Sequence, residues 1–129
     1  MAELVGYNFR TWEIPPVAYY IYIIPKFIIE VINMPNATRL GDNDTGHDAC
    51  PPTALVSASG NVIINGKGAG RVGDSYAAHG CITHPSHSGV IASGSGTVFI
   101  NGQAAGRIGD SVSCGGSVAE GSGDVIIGG

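Results

Sequence analysis

The side chains best suited to holding a metal ion are crowded into one part of this sequence. The chain has four histidines and three cysteines. His79, Cys81, His84 and His87 all fall within RVGDSYAAHGCITHPSHSG, Arg71 to Gly89, and the others are His47, Cys50 and Cys114. Imidazole together with thiolate suits zinc, with iron as second choice, rather than calcium or magnesium, which take oxygen ligands. Other chemistry has weaker support. Serine is abundant, but no G-x-S-x-G elbow occurs, so acyl transfer has no specific signature. The glycine-rich string SGSGTVFINGQAAG occupies turn positions, with no helix following to offer its N-terminus to a phosphate.

The register of these residues comes from an internal repeat. R-L-G-D (Arg39 to Asp42), R-V-G-D (Arg71 to Asp74) and R-I-G-D (Arg107 to Asp110) are copies of one tetrapeptide. Counted from each aspartate, His47 and His79 lie five residues on and Cys114 four. Three loops that each give one ligand at nearly one position would bring three donors together, and tetrahedral zinc needs a fourth. The second loop is the longest, so the fourth ligand is expected there. The predicted set is His47, His79, His84 and Cys114, with His87 as the main substitute for His84. Four protein ligands make a closed structural site. A three-ligand version holding a water, with Asp48 as base, would be a zinc hydrolase, the alternative from another functional class. Cys50 and Cys81 fall outside the register and read as buried thiols or as a disulfide.

The elements that must position these loops are short strands. SGNVIINGKGAGR (Ser59 to Arg71) and SGTVFINGQAAGR (Ser95 to Arg107) are offset by 36 positions, and SGDVIIGG (Ser122 to Gly129) closes the chain. Each copy reads as a strand ended by Asn-Gly or Gly-Gly, dipeptides that supply the positive φ of tight hairpins. The apolar triplets are continuous rather than alternating, which predicts strands covered on both faces. The repeated Arg and Asp are either an internal pair that shapes a turn or a solvated surface pair. With 21 glycines among 129 residues, long helices are penalised throughout. The expectation is an all-β, threefold pseudo-symmetric body.

Residues 1–33 differ from the rest: one glycine, four of the five tyrosines, two of the three phenylalanines and the sole tryptophan. VAYYIYII (Val17 to Ile24) is too short for the roughly 20 residues that cross a bilayer, and no signal peptide is read. The segment, 1–33, is expected to form two short strands or an extended apolar arm before a domain at 34–129; a true start at Met34 is the alternative. Charged residues are 12% and the net charge is −4, which argues against nucleic acid as a partner.

The motifs resemble those of the PAAR-repeat proteins, whose Pro-Ala-Ala-Arg signature is degenerate here: Pro35-Asn36-Ala37-Thr38-Arg39, Gly68-Ala69-Gly70-Arg71 and Ala104-Ala105-Gly106-Arg107, each followed by an apolar residue and Gly-Asp. The resemblance covers 34–129 and leaves 1–33 outside. It implies a small conical β-prism whose base caps a trimeric β-helical spike, one tip per trimer, and whose point carries a zinc ion held by three histidines and one cysteine. Such tips belong to contractile phage tails and type VI secretion systems and touch the target cell envelope transiently as they pierce it. They are not enzymes. The chain ends with its last strand at Gly129, so no attached toxin is expected, and the phage-tail location is preferred to secretion through a type VI system.

Overall fold

The computed structural model describes residues 2–9, 21–23 and 34–128. Among the described residues there are strands, bridges and turns and no helix. The strands in chain order are β1 (Ala2–Leu4), β2 (Asn8–Phe9), β3 (Ile21–Ile23), β4 (Ile63–Ile64), β5 (Lys67–Gly68), β6 (His79–Cys81), β7 (His84–His87), β8 (Val98–Ile100), β9 (Gln103–Ala104) and β10 (Val125–Ile127). The all-β expectation holds.

Two repeat copies form the anticipated hairpins, β4 with β5 and β8 with β9, both antiparallel. Their turns are built on Asn65 (φ 53°) with Gly66 (φ 79°) and on Asn101 (φ 52°) with Gly102 (φ 79°). Positive φ at both central residues matches the right-handed twist of the flanking strands. The third strand, β10, takes its return partner from far back in the chain. Asn36 bridges Ile126, the Ala37 amide donates to the Val125 carbonyl (3.0 Å), and the Ile127 amide donates to the Pro35 carbonyl (2.9 Å). The last copy is thus completed by the residues that open the repeat region.

The three copies then bond to one another in a cycle. The Gly70 amide donates to the Thr38 carbonyl (2.9 Å), Gly106 to Gly70 (2.9 Å) and Thr38 to Gly106 (3.1 Å). Thr38 is fully buried at this ring. A Cβ at Gly70 would lie 2.7 Å from Thr38 Cγ2, and one at Gly106 would lie 3.0 Å from it, so the threonine methyl fills the space that side chains at those two positions would need.

R-x-G-D is an internal turn, not a solvated pair. In each copy the aspartate accepts from the arginine backbone amide (2.8–2.9 Å) and from its Nε (2.9–3.1 Å). Asp42, Asp74 and Asp110 are all buried, and the hydrogen bond that the Arg71 guanidinium donates to Asp74 pushes its pKa upward. The intervening glycines, Gly41, Gly73 and Gly109, have φ of 90–94°, a region L side chains rarely adopt. Ser59, Ser95 and Ser122 perform a matching task at each strand start, their hydroxyls accepting from the amides of Val62, Val98 and Val125 (2.9–3.0 Å).

Two apolar clusters lie on either side of the ring. One contains Val62, Ile64, Val98, Ile100, Val125 and Ile127 with Ala37, Ala69, Ala105 and Leu4. The other contains Leu55, Tyr76, Ile91, Val112 and Val118. Coverage of the repeat strands on both faces is complete only in the third: Ile126 is buried, whereas Ile63 and Phe99 are half-buried.

Candidate metal centre

The second apolar cluster supports the loops that carry the histidines and the free cysteine, Cys114. His47 opens a tight turn in which it and Cys50 exchange backbone hydrogen bonds (2.8 and 3.2 Å). Gly46 (φ 68°) and Asp48 (φ 50°) flank it, and a Cβ at Gly46 would come within 2.4 Å of the Cys50 carbonyl oxygen. His79 and His87 lie on the antiparallel pair β6–β7, directly opposite each other in register. Cys114 sits in the short third loop, closed by the Val112 amide donating to the Gly116 carbonyl (2.9 Å). Gly89 leaves room for its sulfur: a Cβ there would be 2.7 Å from Sγ.

These loops bring four donor atoms together. The Nε2 atoms of His47, His79 and His87 are mutually 2.8–3.0 Å apart, and Cys114 Sγ is 3.9 Å from His79 Nε2. One donor atom from each of the four residues lies within 4.8 Å of the others. Metal–nitrogen bonds of about 2.0–2.1 Å and metal–sulfur bonds of about 2.3 Å place tetrahedral donors roughly 3.3–3.7 Å apart, a range that the observed 2.8–3.0 and 3.9 Å separations bracket, so small shifts of these side chains admit one ion.

The protonation pattern also asks for a cation. The Nδ1–H of His79 donates to the Pro51 carbonyl (2.7 Å) and that of His87 to the Pro85 carbonyl (2.8 Å). A neutral imidazole that donates from Nδ1 carries a lone pair on Nε2. Two such lone pairs face each other at 3.0 Å, an arrangement that a metal ion relieves and that no proton on a neutral ring can. The backbone carbonyls are the outer partners that fix ring orientation and tautomer in histidine metal sites.

Of the predicted set, the structure brings His47, His79 and Cys114 together and puts His87 with them. His84 stands apart: its Nε2 is 2.6 Å from Asp48 Oδ2. The reason is the hairpin's register: His87 is the partner of His79, whereas His84 is the partner of Cys81 across a register irregularity between β6 and β7, and its ring, 5.1 Å from that of His47, is engaged by Asp48. Asp48 Oδ2 also lies 3.8 Å from His47 Nδ1, and His47, Asp48 and His84 form a second, more exposed group. The hydrogen bond from His84, then its charge, holds the exposed Asp48 carboxyl below its ordinary pKa.

Cys50 and Cys81 are joined as a disulfide. It ties the His47 turn to the β6–β7 hairpin beside two of the four donors.

Residues 83–129 match the family described as PAAR motif. This stretch is a PAAR motif. The PAAR family is structural rather than catalytic, binds a metal, and belongs to the spike or tail-tip complexes of contractile injection systems, in phage tails or type VI secretion. The matched residues contain His84, His87 and Cys114, while His47 and His79 precede them. No curated protein matches the chain. No helix among the described residues is long and apolar enough to cross a membrane.

Proposed function

We propose that this chain is the zinc-stabilised tip of a contractile tail spike, capping a trimeric β-helical spike protein, one tip per trimer, and meeting the target envelope first. The observation that carries this reading is the convergence of three imidazole nitrogens and one cysteine sulfur, one or two from each repeat loop, beside a PAAR-motif match. Residues 34–129 form the PAAR-repeat domain and residues 1–33 its N-terminal arm, and a phage tail is the preferred setting.

Zinc bound by His47, His79, His87 and Cys114 supplies a cross-link among three loops where apolar side chains are few. The chain's own residues do the remaining work: the Pro51 and Pro85 carbonyls orient two rings, and Asp48, held by His84, faces the third. The hydrolase alternative gains no support, because the Asp48 carboxylate is engaged by His84 and four donors, not three, converge. Elemental analysis combined with pull-down of a trimeric β-helical spike tests the proposal. Stoichiometric zinc and a 1:3 complex are expected; metal-free protein, or protein that never binds the trimer, contradicts it.

A further inference from the structure

Each repeat strand has two edges. One carries the return strand of its own copy: β5 on β4, β9 on β8, and 35–37 on β10. The other edge is taken in all three copies by the N-terminal segment. β1 runs parallel to β8, with Ala2, Glu3 and Leu4 opposite Val98, Phe99 and Ile100. β2 runs parallel to β4, with Asn8 and Phe9 opposite Ile63 and Ile64. β3 runs antiparallel to β10, with Ile21 to Ile23 opposite Ile127 to Val125. The segment thus visits the three sheets in turn and gives each one strand. The Asn101 amide donates to the Leu4 carbonyl (3.0 Å), and the Ile63 amide to the Tyr7 carbonyl (2.6 Å).

Residues 3–8 are held lightly. Among residues 3–8, Leu4 alone is buried, in the cluster with Val98 and Ile100; Tyr7 packs partly against that cluster, and Val5 is 55% exposed. Two of its three pairings are parallel, the slightly weaker mode per residue. Against this, the strand end of the repeat body is fully sealed, since Val62, Ile64, Val98, Ile100, Val125 and Ile127 are buried without any partner chain. A partner that adds strands to the same three edges must first have them vacated.

We propose that the N-terminal segment is an intramolecular cap on the docking surface: it occupies the open edges of β4, β8 and β10 until three strands of a trimeric β-helix replace it. The inference rests on the spike-tip reading above. Unpaired strand edges invite association with other chains, so the cap keeps the free tip from pairing with copies of itself. Strand addition to an edge is a common recognition mode, and the segment's own strands show that each edge accepts one. Its displacement lowers apparent affinity by the fraction of molecules in the capped state.

A reversible lock tests this in the full chain. Glu3→Cys with Phe99→Cys places a thiol pair at register partners of β1 and β8. The oxidised form is expected to bind a trimeric β-helical spike about tenfold or more weakly than the reduced form, with wild type under the same reductant as the control for the native Cys50–Cys81 bond. Equal binding by both forms overturns the cap. Failure of wild type itself to bind overturns the spike-tip reading beneath it. A second arm needs no spike. Leu4→Asp, which unseats the buried anchor of β1, is expected to retain stoichiometric metal but to self-associate in sedimentation where wild type is monomeric. A metal-loaded variant that stays monomeric overturns the proposal.

Discussion

The two ends of the repeat body are built from the same three copies yet held by different physics. At the strand end, ten buried apolar residues pack in one cluster, and both edges of each repeat strand are paired. At the loop end, five buried residues form the second cluster, and beyond them the loops meet through three imidazoles, a thiol, a disulfide and a His84–Asp48 hydrogen bond. Where a chain narrows to a few glycine-rich turns, apolar area runs out before order does. Ligands and cross-links then replace packing, as in other small folds that cannot build a sufficient core.

The largest expected effect lies at the loop end. Structural zinc contributes about 10–16 kcal/mol of apparent binding free energy in small zinc domains. His79→Ala or Cys114→Ser should therefore abolish stoichiometric metal and lower the melting temperature by on the order of 10 °C or more, as calorimetry would record. An unchanged melting temperature would break the comparison, because the loop end would then stand without its ion. At the strand end, Ile100→Ala should cost about 2–5 kcal/mol through lost burial and a cavity while leaving zinc stoichiometry intact. Loss of metal in that variant would mean that the two ends are not independently held.

Smaller effects sharpen the contrast. Gly89→Ala puts a methyl against the Cys114 sulfur and should weaken metal binding, by competition with a chromophoric chelator, on the order of 10–100-fold, the range seen when the surroundings of a ligand are disturbed. His84→Ala removes only the group that holds Asp48, and a loss of under about tenfold is expected in the same assay. If His84→Ala instead empties the site while His87→Ala does not, the ligand assignment is reversed. Smallest is Tyr76→Phe. Among the described residues the buried Tyr76 hydroxyl makes no hydrogen bond of ordinary geometry, and burial pushes its ionisation well above the ordinary tyrosine range, against a smaller opposing interaction with the Thr38 side chain. Removing so poorly partnered a hydroxyl should raise stability by about 1 kcal/mol, measurable by urea denaturation.

The same contrast explains which features are legible in the residues alone. Asn65-Gly66 and Asn101-Gly102 are legible because the residue types state the backbone conformation they adopt. The repeats place His47, His79 and Cys114 in one register, and the folded chain brings those three together. The fourth donor is not legible from spacing: choosing between His84 and His87 depends on the register of the hairpin β6–β7, in a segment that reads only as a long loop. The Arg-Asp pairing is visible as a pattern, but its burial is not. Least legible are the partners that sequence distance conceals. β10 finds its return strand at 35–37, and the repeat strands find their second neighbours at 2–4, 8–9 and 21–23. Backbone edges carry no side-chain signature, so nothing in the residues of β4 or β8 announces who pairs with them. Of the expected arm 1–33, residues 1, 10–20 and 24–33 lie outside the described residues.

X-ray absorption at the zinc edge of the purified full chain tests the central claim most directly. One zinc per chain in a shell of three nitrogens at about 2.0–2.1 Å and one sulfur at about 2.3 Å is predicted. A shell without sulfur, a shell completed by water oxygen, or protein that carries no zinc would contradict the assignment of His47, His79, His87 and Cys114.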